Sequence, residues 1–199
     1  MQTVKKLSPH LHSVIQRVFR GDVVAHGLIE RSFAHAVEKG GLTELDFRRE
    51  EGVSFNPRPA RVALILLSNA QVTDAEVIAA GILASSDPLD DLKHLEVAER
   101  ARVLAHAALE SPDAIASIDS AIRFEVAIVA LARWLDRVRH LHQSPEASAR
   151  WSEMLQSTDR YIELAAQTSE PLHTLLLAWR ERAAQGRERQ RSLLVEGSR

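Results

Sequence analysis

Apolar residues in this chain recur at three- and four-residue spacing, as in Val14, Val18 and Phe19 or Val97, Ala101, Leu104 and Ala105, and no convincing stretch alternates. Residues spaced this way share one face of a 3.6-residue helix, whereas a half-buried strand needs a period of two, so the pattern predicts an all-α fold. Helix-start signals agree. Thr73 with Glu76 three residues on spells a capping box, and Ser111-Pro112 and Ser144-Pro145 each place a cap residue before a proline at the first helical position. Helices are expected near 9–20, 22–39, 58–69, 74–85, 95–109, 112–142, 145–167 and 170–190. Residues 40–57, rich in glycine, charge and turn formers, lack an apolar period and are expected to form a long surface loop, a common place for binding elements.

A chain of 199 residues with 45% hydrophobic content can bury one sizeable core, which predicts a single helical-bundle domain over 1–180. The remainder, 181–199, alternates Arg and Glu around Gly186 and reads as a polar, solvated helix end. Lys and Arg total 25 against 27 Asp and Glu, so there is no global field to draw in nucleic acid or an acidic membrane, and neither partner is expected. The absence of cysteine excludes disulfides, thiolate zinc sites and a Cys nucleophile, and fits a cytoplasmic location. The longest aliphatic run, Val62 to Leu67, is far too short to span a bilayer. No Gly-x-Ser-x-Gly turn, P-loop or dinucleotide fingerprint occurs, which removes the common nucleophilic and nucleotide-cradling motifs.

Three segments, in order, carry a more specific pattern. RREEGVSFNPRPARVALIL (48–66) resembles RKdGtPYixHPlrVAxiL, with Gly52, Phe55, Pro59, Arg61, Val62 and Ala63 on pattern positions and one residue inserted before Gly52. TDAEVIAAGILASS (73–86) resembles tDaetlaAalLHDvvED, and FEVAIVALARWLDRVRHLHQSPE (124–146) resembles iKLADRLDNmRhLhxspe. These patterns are those of the RelA/SpoT-like (p)ppGpp hydrolase domain of the HD superfamily, and the resemblance implies an HD-type helical bundle.

In that family, imidazole and carboxylate ligands from separate helices hold a divalent cation, usually manganese, which activates the attacking water. Carried over position by position, the first ligand His falls on Arg58, the His-Asp doublet on Ala84 and Ser85, and the distal Asp on Arg133. The acidic pair that handles the water falls on Pro88 and Leu89. All the metal and acid/base positions are thus lost while the apolar frame is kept, which implies a catalytically inactive module with no cofactor.

What such a module does instead has several readings. Arg58 and Arg133, with Arg48 and Arg49 on the basic pair that lines the family's nucleotide cleft, are candidates to bind a phosphorylated guanine nucleotide or other anion, because a guanidinium matches phosphate in a two-pronged geometry. Arg137 stands where the family often has a substrate-contacting Asn. Alternatively, Arg58 and Arg133 pair with Asp87, Asp90 or Asp136 and plug the old site, with Asp136 tying helices together through Arg133 or Arg139. A displaced manganese site on Asp87, Asp90 and Asp91 would instead preserve a metal-dependent phosphohydrolase, although SSDPLDD also reads as a turn and helix start. A protein partner or a homo-oligomer is the third reading. Trp134, Trp151 and Trp179 are expected as core or interface anchors.

Overall fold

The computed structural model describes residues 7–39, 58–85, 98–140 and 147–196, with backbone alone at 39, 147–150 and 187–196. Its elements are α-helices: α1 (Pro9–Val18), α2 (Val23–Lys39), α3 (Arg58–Leu64), α4 (Ala75–Leu83), α5 (Glu99–Ala107), α6 (Pro112–Ala116), α7 (Ser120–Arg139), α8 (Ala147–Ala166) and α9 (Glu170–Glu196), with one π-helical turn, Ile65–Asn69, continuing α3. Among the described residues there is no strand, as the apolar period predicts. None of the described helices is long and apolar enough to cross a membrane. The 40–57 loop and the Ser144-Pro145 start lie outside the described residues.

The core is organised around α4. Apart from Glu76 in its first turn, its sequence, AEVIAAGIL, is apolar on every side, and a helix of that kind has to be enclosed. Every residue from Val77 to Leu83 is buried, and α4 packs against α2, α3, α5 and α7. Its start is one residue later than the capping-box reading. Asp74, not Thr73, is the cap, its carboxylate accepting from the Glu76 amide at 2.8 Å and the Val77 amide at 3.3 Å. The other oxygen of Asp74 meets Arg100 of α5 at 2.9 Å, and Arg100 also holds Glu76 at 2.7 Å and Glu125 of α7 at 2.5 Å. One guanidinium thereby joins the outer ends of three helices.

The long helix expected over 112–142 is broken in two. Ser111 caps α6 as expected, accepting from the Ala114 amide at 3.2 Å. The chain then turns at Ser117 and Ile118, and Asp119 caps a new helix by accepting from the Ala121 amide at 2.9 Å. A capping Asp inside a helical-looking run competes with the backbone for its own amides, which is why the break occurs there. No break falls at residue 180: α9 runs through it to Glu196, so the polar tail is helical to that point.

Trp134 of α7 donates from Nε1 to Thr158 Oγ1 at 3.1 Å and stacks on Tyr161, with ring centroids 4.4 Å apart, fastening α8 to α7. Trp151 and Trp179, 6.0 Å apart, fasten α9 to α8. The tryptophans therefore act as anchors between helices, as their positions suggested.

The aliphatic run Val62–Leu67 ends in the π turn. Ile65, Leu66 and Leu67 are all buried, and the wider turn keeps three successive apolar residues inward while Ser68 stays exposed. Gln71, at φ 55°, then reverses the chain. Gly81 of α4 faces this turn, and a Cβ there would overlap Leu66 Cδ1 and come within 3.3 Å of Val62 Cγ1. Leu66 is fully buried and has little room to yield. Gly81→Ala is therefore expected to destabilise the protein despite alanine's better helix propensity of about 1 kcal/mol, because overpacking costs about 1–3 kcal/mol. Urea unfolding of the two proteins measures the difference.

Candidate functional site

Asp136, in the last turns of α7, has 1% exposure, and a carboxylate that deep has to be paired. Its partners come from two helices. Arg61 of α3 grips it with two bonds, Nε to Oδ1 at 2.7 Å and Nη2 to Oδ2 at 3.2 Å. His140, one turn along α7, places Nδ1 2.8 Å from the Asp136 carbonyl oxygen and 3.3 Å from its Oδ1. Both are acceptors, so the ring donates from Nδ1. Arg58, one turn before Arg61, approaches Oδ2 only to 4.0 Å. Burial pushes the Asp136 carboxyl upward, but the hydrogen bonds from His140 and Arg61 outweigh it and hold the group below the ordinary carboxylate value.

Beside this pair lies a groove of about 270 Å³ between α1, the π turn and the end of α7. Among the described residues, Arg61, Arg139, His140 and His10 supply its nitrogen groups and Asp136 its one carboxylate. Ser68 and Asn69 of the π turn add a hydroxyl and an amide, over a floor of Leu64 and Ile65. Arg139 has no hydrogen bond or ion pair among the described residues. Partial burial and the nearby positive charge of Arg182 on α9 hold its basicity below the ordinary arginine value, against the pull of Asp136.

The positions singled out from the sequence are distributed as follows. Arg58 opens α3 and points toward Asp136. Arg133 of α7 donates from Nη1 to the carbonyl of Ala108 at 2.9 Å, so it serves a free carbonyl at the end of α5, where a cation is also favoured by the helix dipole. Ala84 caps the end of α4 and is buried, and the Ser85 hydroxyl donates to the Gly81 carbonyl at 2.7 Å. None of these four lines the groove beside Asp136. Arg137 lies 5.4 Å over the Trp134 ring, away from that groove. Arg48, Arg49, Asp87, Asp90 and Asp91 lie outside the described residues.

The arginine that grips Asp136 is therefore Arg61; of the arginines the sequence pointed to, Arg58 comes to 4.0 Å, while Arg133 turns to the Ala108 carbonyl and Arg139 makes no ion pair among the described residues. The signal was present: Asp136 and His140 are four apart and Arg58 and Arg61 three apart, which puts each pair on one helix face. His10, Ser68 and Asn69 had no sequence signal, since chain reversal brings them in. The residues at the metal positions of the resemblance do not fit a dication: one is Ala, one is a Ser whose hydroxyl is directed at a carbonyl, and two are guanidinium cations. Among the described residues, no three His, Asp or Glu side chains converge as a metal-holding group. Comparisons with family models, curated proteins and solved structures find no match to this chain. The resemblance to the HD hydrolases rests on the three sequence segments.

The geometry separates the two arginines of α3. Arg61→Ala leaves a buried carboxylate without its two-pronged partner and is expected to cost about 3–5 kcal/mol, whereas Arg58→Ala, with a single 4.0 Å approach, is expected to cost about 0–1 kcal/mol. Because the folded-state value of Asp136 lies below its unfolded value of about 3.9, its contribution is full above pH ~4 and is lost as pH falls further. Acid unfolding of the wild type and of Asp136→Asn should thus diverge above pH ~4 and converge below it.

Proposed function

We propose that the chain is a catalytically inactive helical module of the HD phosphohydrolase type that binds a phosphorylated ligand in the groove beside Asp136. The observation that carries this reading is the charge balance of the groove. Among the described residues its one carboxylate is already neutralised by Arg61, and Arg139 adds a guanidinium with no pairing carboxylate. A phosphate suits such a site. It brings two negative charges and several acceptor oxygens, and the guanidinium, imidazole, hydroxyl and amide groups here can all donate. Water activation is a different requirement: the hydrolase chemistry needs a dication held by carboxylates and imidazoles, and the positions for it carry Arg58, Ala84, Ser85 and Arg133.

Inorganic phosphate or a guanine nucleotide at low ionic strength is expected to raise the melting temperature. At a hundred times its dissociation constant such a ligand adds about 2.7 kcal/mol. The gain should shrink as salt is raised and disappear in Arg139→Ala. No pyrophosphate should be released from (p)ppGpp in the presence of manganese. Manganese-dependent turnover, abolished by substituting Asp87, Asp90 or Asp91, would instead establish a hydrolase with a displaced metal site.

A further inference from the structure

Resting on that reading of the groove, we infer that it recognises a phosphoryl group alone, as phosphate or diphosphate, and does not read a nucleobase. Size is the first ground. Pockets that enclose a drug-sized ligand run to roughly 300–1,000 Å³, and this groove is about 270 Å³. It has room for one or two phosphoryl groups, and a nucleoside attached to them projects out of it.

The lining is the second ground. Base recognition draws on ring faces for stacking and on paired donors and acceptors along a base edge. Among the described residues, no aromatic ring other than the two imidazoles lines the groove, and the apolar contacts are aliphatic, from Leu64 and Ile65. The aromatic pair of this region, Trp134 and Tyr161, is directed elsewhere. Two residues along a helix are about 200° apart, so Trp134 leaves α7 on the side away from Asp136. Its ring is already occupied by Tyr161 and approached by Arg137.

Charge placement is the third ground. Arg61 is committed to Asp136, while Arg139 stands at the groove with Arg182 of α9 close enough to repel it. A guanidinium under that repulsion is relieved by an anion, and a diphosphate, with a charge on each end, serves Arg139 at one end and an imidazole, His140 or His10, at the other.

The same phosphoryl chemistry could come from a free inorganic anion or from the end of a nucleotide. Titration calorimetry on the full chain at low salt separates the sources, using pyrophosphate, GDP and ADP. The three are expected to bind within about threefold of one another, with Arg139→Ala weakening all of them about tenfold or more and Arg139→Lys recovering part of the loss. GDP binding about tenfold more tightly than both pyrophosphate and ADP would show that the base is read, overturning this inference while leaving the binding function intact. Equal binding unaffected by Arg139→Ala would place the site elsewhere and overturn it as well. No binding of any of the three would remove the binding function itself, and this inference with it.

Discussion

A carboxylate with 1% exposure cannot be hydrated, so Asp136 dictates what must surround it. Its neutralising group has to come from a neighbouring helix, and the one that arrives is Arg61, through two bonds that fix both the distance and the rotation of α3 against α7. That alignment has consequences further along α3. With Arg61 held at Asp136, the aliphatic run that follows has to enter the core, and it does so through a π turn that buries Ile65, Leu66 and Leu67 together. Leu66 then meets α4 at the one position without a side chain, Gly81. The polar end of the turn, Ser68 and Asn69, is left facing the same groove as Asp136. The groove is thus a by-product of how a single charge is satisfied.

Charge is managed differently at the rest of the molecule. Arg100 joins Asp74, Glu76 and Glu125, but all four side chains are partly exposed, and pairs in that setting are screened and worth little individually. Breaking the Arg61 pair leaves an ion in a dry place, whereas breaking the Arg100 cluster returns its members to water. The two networks look similar as contacts and differ in energy because of where the charges would go.

The helical class was legible because the apolar period is unambiguous, and the cap at Ser111 could be read from local chemistry. The split between α6 and α7 could not: Ile115 and Ile118 keep the helical period, and the interruption shows only in the structure, where α6 ends at Ala116 and the Ala121 amide donates to the Asp119 carboxylate. Asp136 was legible as a helix tie, but its arginine was not. Several arginines were available, at positions 58, 61, 133 and 139, and spacing alone cannot tell which helix faces which. Arg133 illustrates the limit, since the orphan carbonyl it serves, at Ala108, belongs to a helix end that the sequence placed only approximately.

The contrast between a guanidinium and a dication sets what such a site can do. A divalent metal concentrates two charges on one atom, orders water at open positions and lowers the pKa of that water, which is where hydrolytic power arises. A guanidinium spreads one charge over a planar fork, offers donors in fixed directions and has no open coordination position for water. Replacing the first by the second keeps attraction for phosphate oxygens and removes the means of attacking phosphorus. Around Asp136 the carboxylate is itself covered by Arg61 and His140, so its charge is balanced within the fold. In the proposed binding function, an anion in the groove would draw on Arg139, which has no ion pair among the described residues, and on the imidazoles of His10 and His140.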